Sequence, residues 1–149
     1  LILILMFIGG MGGSTGGGMK IVRVMLILKY AALETRRMLH AKAIIPIRIG
    51  EKYISGDVIR NTLGFFLFYV FIFVFTSFFL TTLNIDLKSS MGVAASALGN
   101  IGPALGEFGP TDNYALLPGA GKWLLTFCML LGRLEIFTVV VLFSRTFRR

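Results

Sequence analysis

Residues 62–83 read TLGFFLFYVFIFVFTSFFLTTL, the centre of a stretch from 61 to 85 that contains no charge and is bracketed by Arg60 and Asp86. A helix needs about 20 predominantly apolar residues to cross the hydrocarbon core of a bilayer, so this run predicts a membrane span. The surrounding chain agrees. Of 149 residues, 56% are hydrophobic and 15% are charged, against the roughly 25% charge of an average soluble domain. The mean hydropathy is +0.83, and a soluble core of this size has no room for so much apolar surface. The solvent these residues require is lipid.

Downstream, residues 123–143 read WLLTFCMLLGRLEIFTVVVLF and predict a second span. Trp123 suits one interface, and Arg145, Arg148 and Arg149 suit the other. Upstream, LILILMFI (1–8) and MKIVRVMLIL (19–28) are each too short to cross, and the ten positions between residues 9 and 18 hold seven glycines. Together residues 1–28 have the length of one span broken at its middle. Irregular backbone at membrane depth persists only where protein buries it or a cavity wets it, which makes the break a candidate pathway element. The opening at Leu1, with no basic lead before the apolar run, reads as a cut inside a helix rather than as a signal peptide.

The formal charge is +8, and its distribution says more than its sum. Residues 20–60 hold nine basic and three acidic side chains, residues 84–122 hold two and three, and the tail is basic. Basic residues that flank apolar segments follow the positive-inside rule, whereas a nucleic-acid binder gathers them on one wettable face. The single cysteine, Cys128, excludes an internal disulfide and a cysteine-cluster metal site. His40, alone among Arg36, Arg37 and Lys42, reads as a solvated loop residue.

Between the two spans lies KSSMGVAASALGNIGPALG, residues 88–106. Ser89 or Ser90 is placed to cap a helix, MGVAASAL forms about three turns, and Gly99 ends it. A short apolar helix and a Gly-containing extended stretch between two spans make a re-entrant pore loop. Within it, Gly99, Asn100, Ile101, Gly102 and Pro103 are candidate ion ligands, because a dehydrated cation needs several backbone carbonyls aimed at one axis. Glycine permits the φ values that turn successive carbonyls alike, and the helix before it points its partially negative end at the ion. An ordinary Gly/Pro turn is the competing reading.

Two further features bear on a pathway. GGMGGSTGGGMK, residues 9–20, has the look of a phosphate loop, but Met19 intrudes before Lys20 and Ile21 stands where Ser or Thr would hold magnesium. Close helix packing explains a few glycines, while seven prevent a continuous helix and suggest a plug or gate. Arg133 is the tenth residue before Phe143 and lies about 15 Å from either end of its predicted span. Glu135, two residues on, points elsewhere, so Arg133 needs a partner outside its own helix. Charges at such depth mark ion pathways or interhelical salt bridges, and the carbonyls of the glycine loop are suitable acceptors.

These three motifs, GGMGGSTGGGMK, the NIGPALG of residues 100–106 and the GRLEIFT of residues 132–138, resemble in their order the Trk/Ktr/HKT potassium transporters, nearest to the bacterial TrkH/TrkG branch. The resemblance covers essentially the whole chain. It implies the last quarter of a subunit in which four membrane–pore–membrane repeats surround one filter. Residues 1–39 would be the broken second helix of repeat three, with Gly12, Gly13, Ser14, Thr15, Gly16, Gly17 and Gly18 in its intramembrane gating loop. Residues 40–54 would be a cytoplasmic linker and 55–149 repeat four: a span at 62–83, a pore helix at 88–98, a filter at 99–103 and a span at 122–144. Gly102 matches the family's filter glycine, and Arg133 the arginine beneath the filter. The implied partners are the missing repeats, a second copy in a homodimer, a cytosolic nucleotide-binding regulatory subunit and membrane lipid, with no nucleic acid. Ala41 departs from the proline usual in the family after the histidine.

The expectation is thus an all-α integral membrane protein of the bacterial inner membrane. A membrane helix–pore loop–membrane helix repeat follows a broken transmembrane helix. It passes potassium as substrate, needs no cofactor or resident metal, and catalyses no reaction. The alternatives are a membrane-anchored nucleotide-binding protein that uses the glycine loop, and a structural membrane subunit without a pathway. The charge pattern predicts Lys42 and Arg149 in the cytoplasm and Asp112 outside. Cysteines placed singly at the three positions test this, and an impermeant thiol reagent applied to intact cells should label position 112 alone.

Overall fold

Helix α3 (Gly56–Thr82) dominates the chain: its 27 residues measure about 40 Å at 1.5 Å per residue. The computed structural model describes residues 2–10, 17–39, 48–49, 52–53, 56–106, 108–109 and 113–134. Among these, α3 alone is long and apolar enough to cross a membrane. Phe65, Tyr69, Ile72, Thr76 and Leu80 recur every three or four residues and are buried against the rest of the chain. The opposite stripe is equally apolar but uncovered, with Leu67 at 68%, Phe71 at 64% and Phe78 at 71% exposure. A helix that is hydrophobic all round belongs in a protein core or a membrane, and the described residues cover this one on one side only. Its hydroxyls turn inward on the backbone: Thr62 donates to Val58 O at 2.7 Å, Ser77 to Phe73 O at 2.8 Å and Thr81 to Ser77 O at 2.9 Å.

Helix α4 (Leu87–Gly99) follows a tight turn at Asn84 and lies between α3 and α5 (Gly119–Arg133), with α1 (Ile2–Ile8) also against it. Ten of its 13 residues are buried. Gly92, Ala94, Ala95, Ser96 and Ala97 are small enough to let neighbouring backbones close in on several sides, the means by which helices associate in lipid. The cap differs from the serine expected. The carboxylate of Asp86 accepts from Lys88 N at 3.1 Å, while Ser89 and Ser90 lie in the first turn and are buried. Asp86, which brackets the long apolar run, also begins the next helix.

Helix α5 starts directly after Pro118, which stands at its N-cap and makes no side-chain capping bond. Leu125, Cys128 and Leu131 face inward, and Trp123 is 79% exposed near the helix start. The Cys128 Sγ and Thr76 Oγ1 atoms are 3.1 Å apart, joining α5 to α3. The second half of the expected span at 122–144 lies outside the described residues.

The N-terminal segment is split. Helix α1 is edge-on to α3 through Phe7, whose ring centroid is 4.9 Å from Tyr69 and 5.1 Å from Phe73. Helix α2 (Ile21–Leu39) resumes after the glycines and runs past residue 28, packing Leu26 on Ile59. The Arg23 guanidinium stands 4.2 Å over the Phe65 ring. In the linker, β1 (Arg48–Ile49) and β2 (Lys52–Tyr53) form a minimal antiparallel hairpin that no periodicity predicted.

Close packing around α4 is open to a direct check. A Cβ at Gly92 would lie 2.7 Å from Leu105 N, so Gly92→Val should destabilise by about 1–3 kcal/mol through overpacking. Phe78→Ala, on the uncovered face, should leave the melting temperature of the detergent-solubilised protein nearly unchanged.

Candidate functional site

The last residue of α4 is Gly99, and Asn100 closes the helix in the left-handed region at φ 51°, ψ 42°. Asparagine tolerates this conformation better than most residues. Asn100 N reaches Ala97 O at 3.2 Å and Ile101 N reaches Ser96 O at 3.0 Å, a cap that ties off the helix and releases an extended strand. Gly102 sits at φ +102°, and nothing lies within 4 Å of a Cβ built there. Glycine is required at that position by backbone conformation, not by crowding.

From Ile101 to Pro103 the strand is exposed, and at Ala104 it is buried again. It then runs back along α4. A Cβ on Gly106 would collide with Ser89, and Leu105 abuts Gly92. The strand therefore leaves the carbonyl end of α4 and returns toward its amino end. Asn100, Ile101, Gly102 and Pro103 carry no ionisable side chain, so their chemistry toward a ligand is that of neutral carbonyl dipoles beside the negative end of a helix. Such oxygens suit a weakly hydrated monovalent cation.

Two backbone segments converge on the same helix end. A Cβ at Gly17 would lie 2.8 Å from Asn100 Nδ2 and 2.9 Å from Leu98 O. On the other side, a Cβ at Gly132 would collide with Leu98 O and lie 3.0 Å from Asn100 Nδ2. The Asn100 amide stands in this junction and donates to Met129 O at 3.0 Å, so its side chain holds α5 while its backbone begins the strand. The break between α1 and α2 is drawn into a neck: a Cβ at Gly9 would lie 3.0 Å from Gly17 O, and Ile21 N takes Gly10 O at 3.1 Å as its acceptor. Gly9 and Gly18 both have positive φ, at 71° and 88°. The expected gate residues Gly12, Gly13, Ser14, Thr15 and Gly16 lie outside the described residues, whereas Gly17 and Gly18 are buried against α4.

Arg133 departs from its expected setting at mid-helix. It is the last residue of α5, its side chain is exposed, and Leu134 closes the helix at φ −82°, ψ 10°. Gly132, a poor helix former, is pressed onto Leu98 O immediately before it. Arg133 is thus next to the junction that Gly17 reaches from the other side.

Tyr114 escaped the sequence reading. It opens a 3-10 turn (Tyr114–Leu116), and its hydroxyl donates to Gly102 O at 2.7 Å. Its ring stacks on Phe108 at 5.4 Å. The signal available was an aromatic pair in the segment between α4 and α5, which periodicity does not register.

The two roles of Asn100 separate by substitution. Asn100→Gly keeps the left-handed cap and loses the bond to Met129 O, so the protein should melt close to the unmodified form. Asn100→Ala loses both and should be less stable by about 1–2 kcal/mol. Thermal denaturation of the purified protein reads the order.

Comparison with known proteins supports the geometry. Residues 1–148 match the family model of TrkH, described as a cation transport protein. The chain is 42% identical over 149 residues to the Trk system potassium uptake protein TrkH of Halomonas elongata and 36% identical to that of Escherichia coli K12, in each case over 100% of this chain and 30% of the relative. The crystal structure of the potassium transporter TrkH from Vibrio parahaemolyticus superposes with a TM-score of 0.87 at 38% identity, over 99% of this chain and 31% of that one. The chain therefore spans about 30% of the length of these relatives. The placement at the C-terminal end of such a subunit is not upheld, since these matches fix a share of the length and support no C-terminal position. With a family match that runs almost end to end, the chain belongs to the TrkH family of cation transport proteins.

Proposed function

We propose that this chain supplies one wall of a potassium-uptake pathway in the bacterial inner membrane. It does so as a helix–pore loop–helix repeat preceded by a broken helix. The observation that carries the reading is the strand of residues 100–103. It leaves the carbonyl end of a buried, capped helix and is exposed along its whole length before the chain is buried again at Ala104. One strand surrounds an ion from one side, so the path is complete only with the remaining repeats of the subunit. Potassium is the substrate, and the protein passes it without catalysing a reaction. The relatives are named as members of a Trk system, which supports further components; the partners proposed are a second copy in a homodimer and a cytosolic nucleotide-binding subunit that regulates flux.

Regulation acts at the junction beneath the strand. Residues 12–18 form a gating loop on a neck of glycines, and Gly17 brings that neck against Asn100 and Leu98. Arg133, adjoining Gly132, adds a positive charge that a cation leaving the strand must pass. A fixed charge of the same sign raises the barrier to the ion, and interaction with the loop couples the barrier to the loop's position.

Growth of a potassium-uptake-deficient bacterium on limiting potassium tests the function, and flux per assembled transporter tests the gate. In the intact subunit Arg133→Ala should raise potassium flux severalfold, with Arg133→Lys intermediate because it keeps charge but loses the planar fork. A lower flux per molecule in Arg133→Ala rejects the barrier. Shortening residues 13–17 should likewise raise flux while potassium remains preferred over sodium, and loss of protein without any gain in flux would refute the loop as a gate.

A further inference from the structure

Within residues 99–103 one peptide differs chemically from its neighbours. The planes that enter the strand are held from behind by their N–H groups, at Asn100 toward Ala97 O and at Ile101 toward Ser96 O. Pro103 has no N–H, so the Gly102–Pro103 plane has no such handle. Gly102 offers no side chain, and no atom lies within 4 Å of its Cβ position to brace it. The plane can be held only through its carbonyl oxygen, and the Tyr114 hydroxyl donates to that oxygen at 2.7 Å.

Tyr114 is itself fixed. Its ring lies nearly parallel to that of Phe108, at 20°, and Phe108 O accepts from Ala104 N at 2.9 Å, just past the strand. Asn113 caps the turn that carries it, accepting from Ala115 N at 3.0 Å, and Leu117 N returns to Tyr114 O at 3.2 Å. Burial raises the phenol pKa above the usual tyrosine range, an effect partly offset by the neighbouring Ser96 hydroxyl. The group is therefore a neutral donor at neutral pH. A carbonyl oxygen has two lone pairs. The hydroxyl occupies one and leaves the other for a cation.

We propose that Tyr114 is a positioning residue for ion selection: its hydroxyl fixes the Gly102–Pro103 plane and so the spacing of the oxygens a dehydrated cation meets. This rests on reading residues 99–103 as one strand of a potassium filter. Potassium and sodium carry the same charge, so discrimination depends on the number, spacing and stiffness of the oxygens. Loosening one plane lowers discrimination before it lowers throughput.

Tyr114→Phe in the intact transporter keeps the ring stack and removes the donor alone. Potassium and sodium fluxes per molecule are measured separately in liposomes, beside the melting temperature in detergent. The potassium-to-sodium flux ratio should fall about fivefold, the equivalent of one hydrogen bond of ordinary net strength, with the melting temperature little changed. An unchanged ratio overturns the proposal, and so does an equal fall in both fluxes, which a purely structural role predicts. If Tyr114→Phe fails to assemble, Asn113→Ala loosens the turn while retaining the hydroxyl and must lower the ratio too. An unchanged ratio there is equally fatal. If the unmodified transporter passes no potassium, the filter reading itself fails and the clamp falls with it, a result distinct from normal potassium flux with an unaltered ratio.

Discussion

The carbonyl end of α4 is approached by bare backbone from two directions, and the arrangement of the other elements follows from that closeness. A helix end leaves its last carbonyls without partners. Here Gly17 and Gly132 come so near to Leu98 O that a Cβ on either would clash. No bulky side chain can stand between α4, the neck of the broken helix and the end of α5. In a bilayer, where apolar burial against lipid contributes little, such tight contact is what associates helices. The small residues along α4 extend the same device over its length, which is how so short a helix becomes almost completely enclosed.

The junction also unites three stretches distant in sequence. The glycine break, the cap of α4 and the end of α5 meet within a few ångströms of one amide, that of Asn100. A displacement of the neck or of α5 is transmitted to the residue where the extended strand begins. Support for that strand comes from opposite ends: Asn100 at the helix cap, Tyr114 at Gly102. Residues 101–103 are exposed along this doubly held stretch.

Much of this was legible in the residues. The long apolar run predicted α3, although the helix begins at Gly56 and not at residue 62. Counting apolar residues finds the part in hydrocarbon, while Asp57 favours the helix N-terminus and extends it beyond. The short helix α4 was readable from small residues between turn signals, but its cap was not, because Asp86 was read as a boundary charge of the preceding span. Arg133 was placed at mid-helix on length alone. A backbone carbonyl pressing on Gly132 is a tertiary fact with no local signature. The Tyr114 clamp was hidden for the same reason, since its partner lies 12 residues away in irregular chain.

The hydroxyls of α3 have a consequence for biogenesis. Thr62, Ser77 and Thr81 each bond within their own helix, so those groups require no other segment to satisfy them. The helix can therefore settle into the bilayer before α4 and α5, which follow it in the chain, are synthesised. Thr76 is different, because its hydroxyl faces Cys128 on α5. That contact becomes available only when a later part of the chain has arrived and docked. The order of α3 and α5 thus follows polarity: α3 is in place first, and the later helix is recruited to a polar mark on its surface.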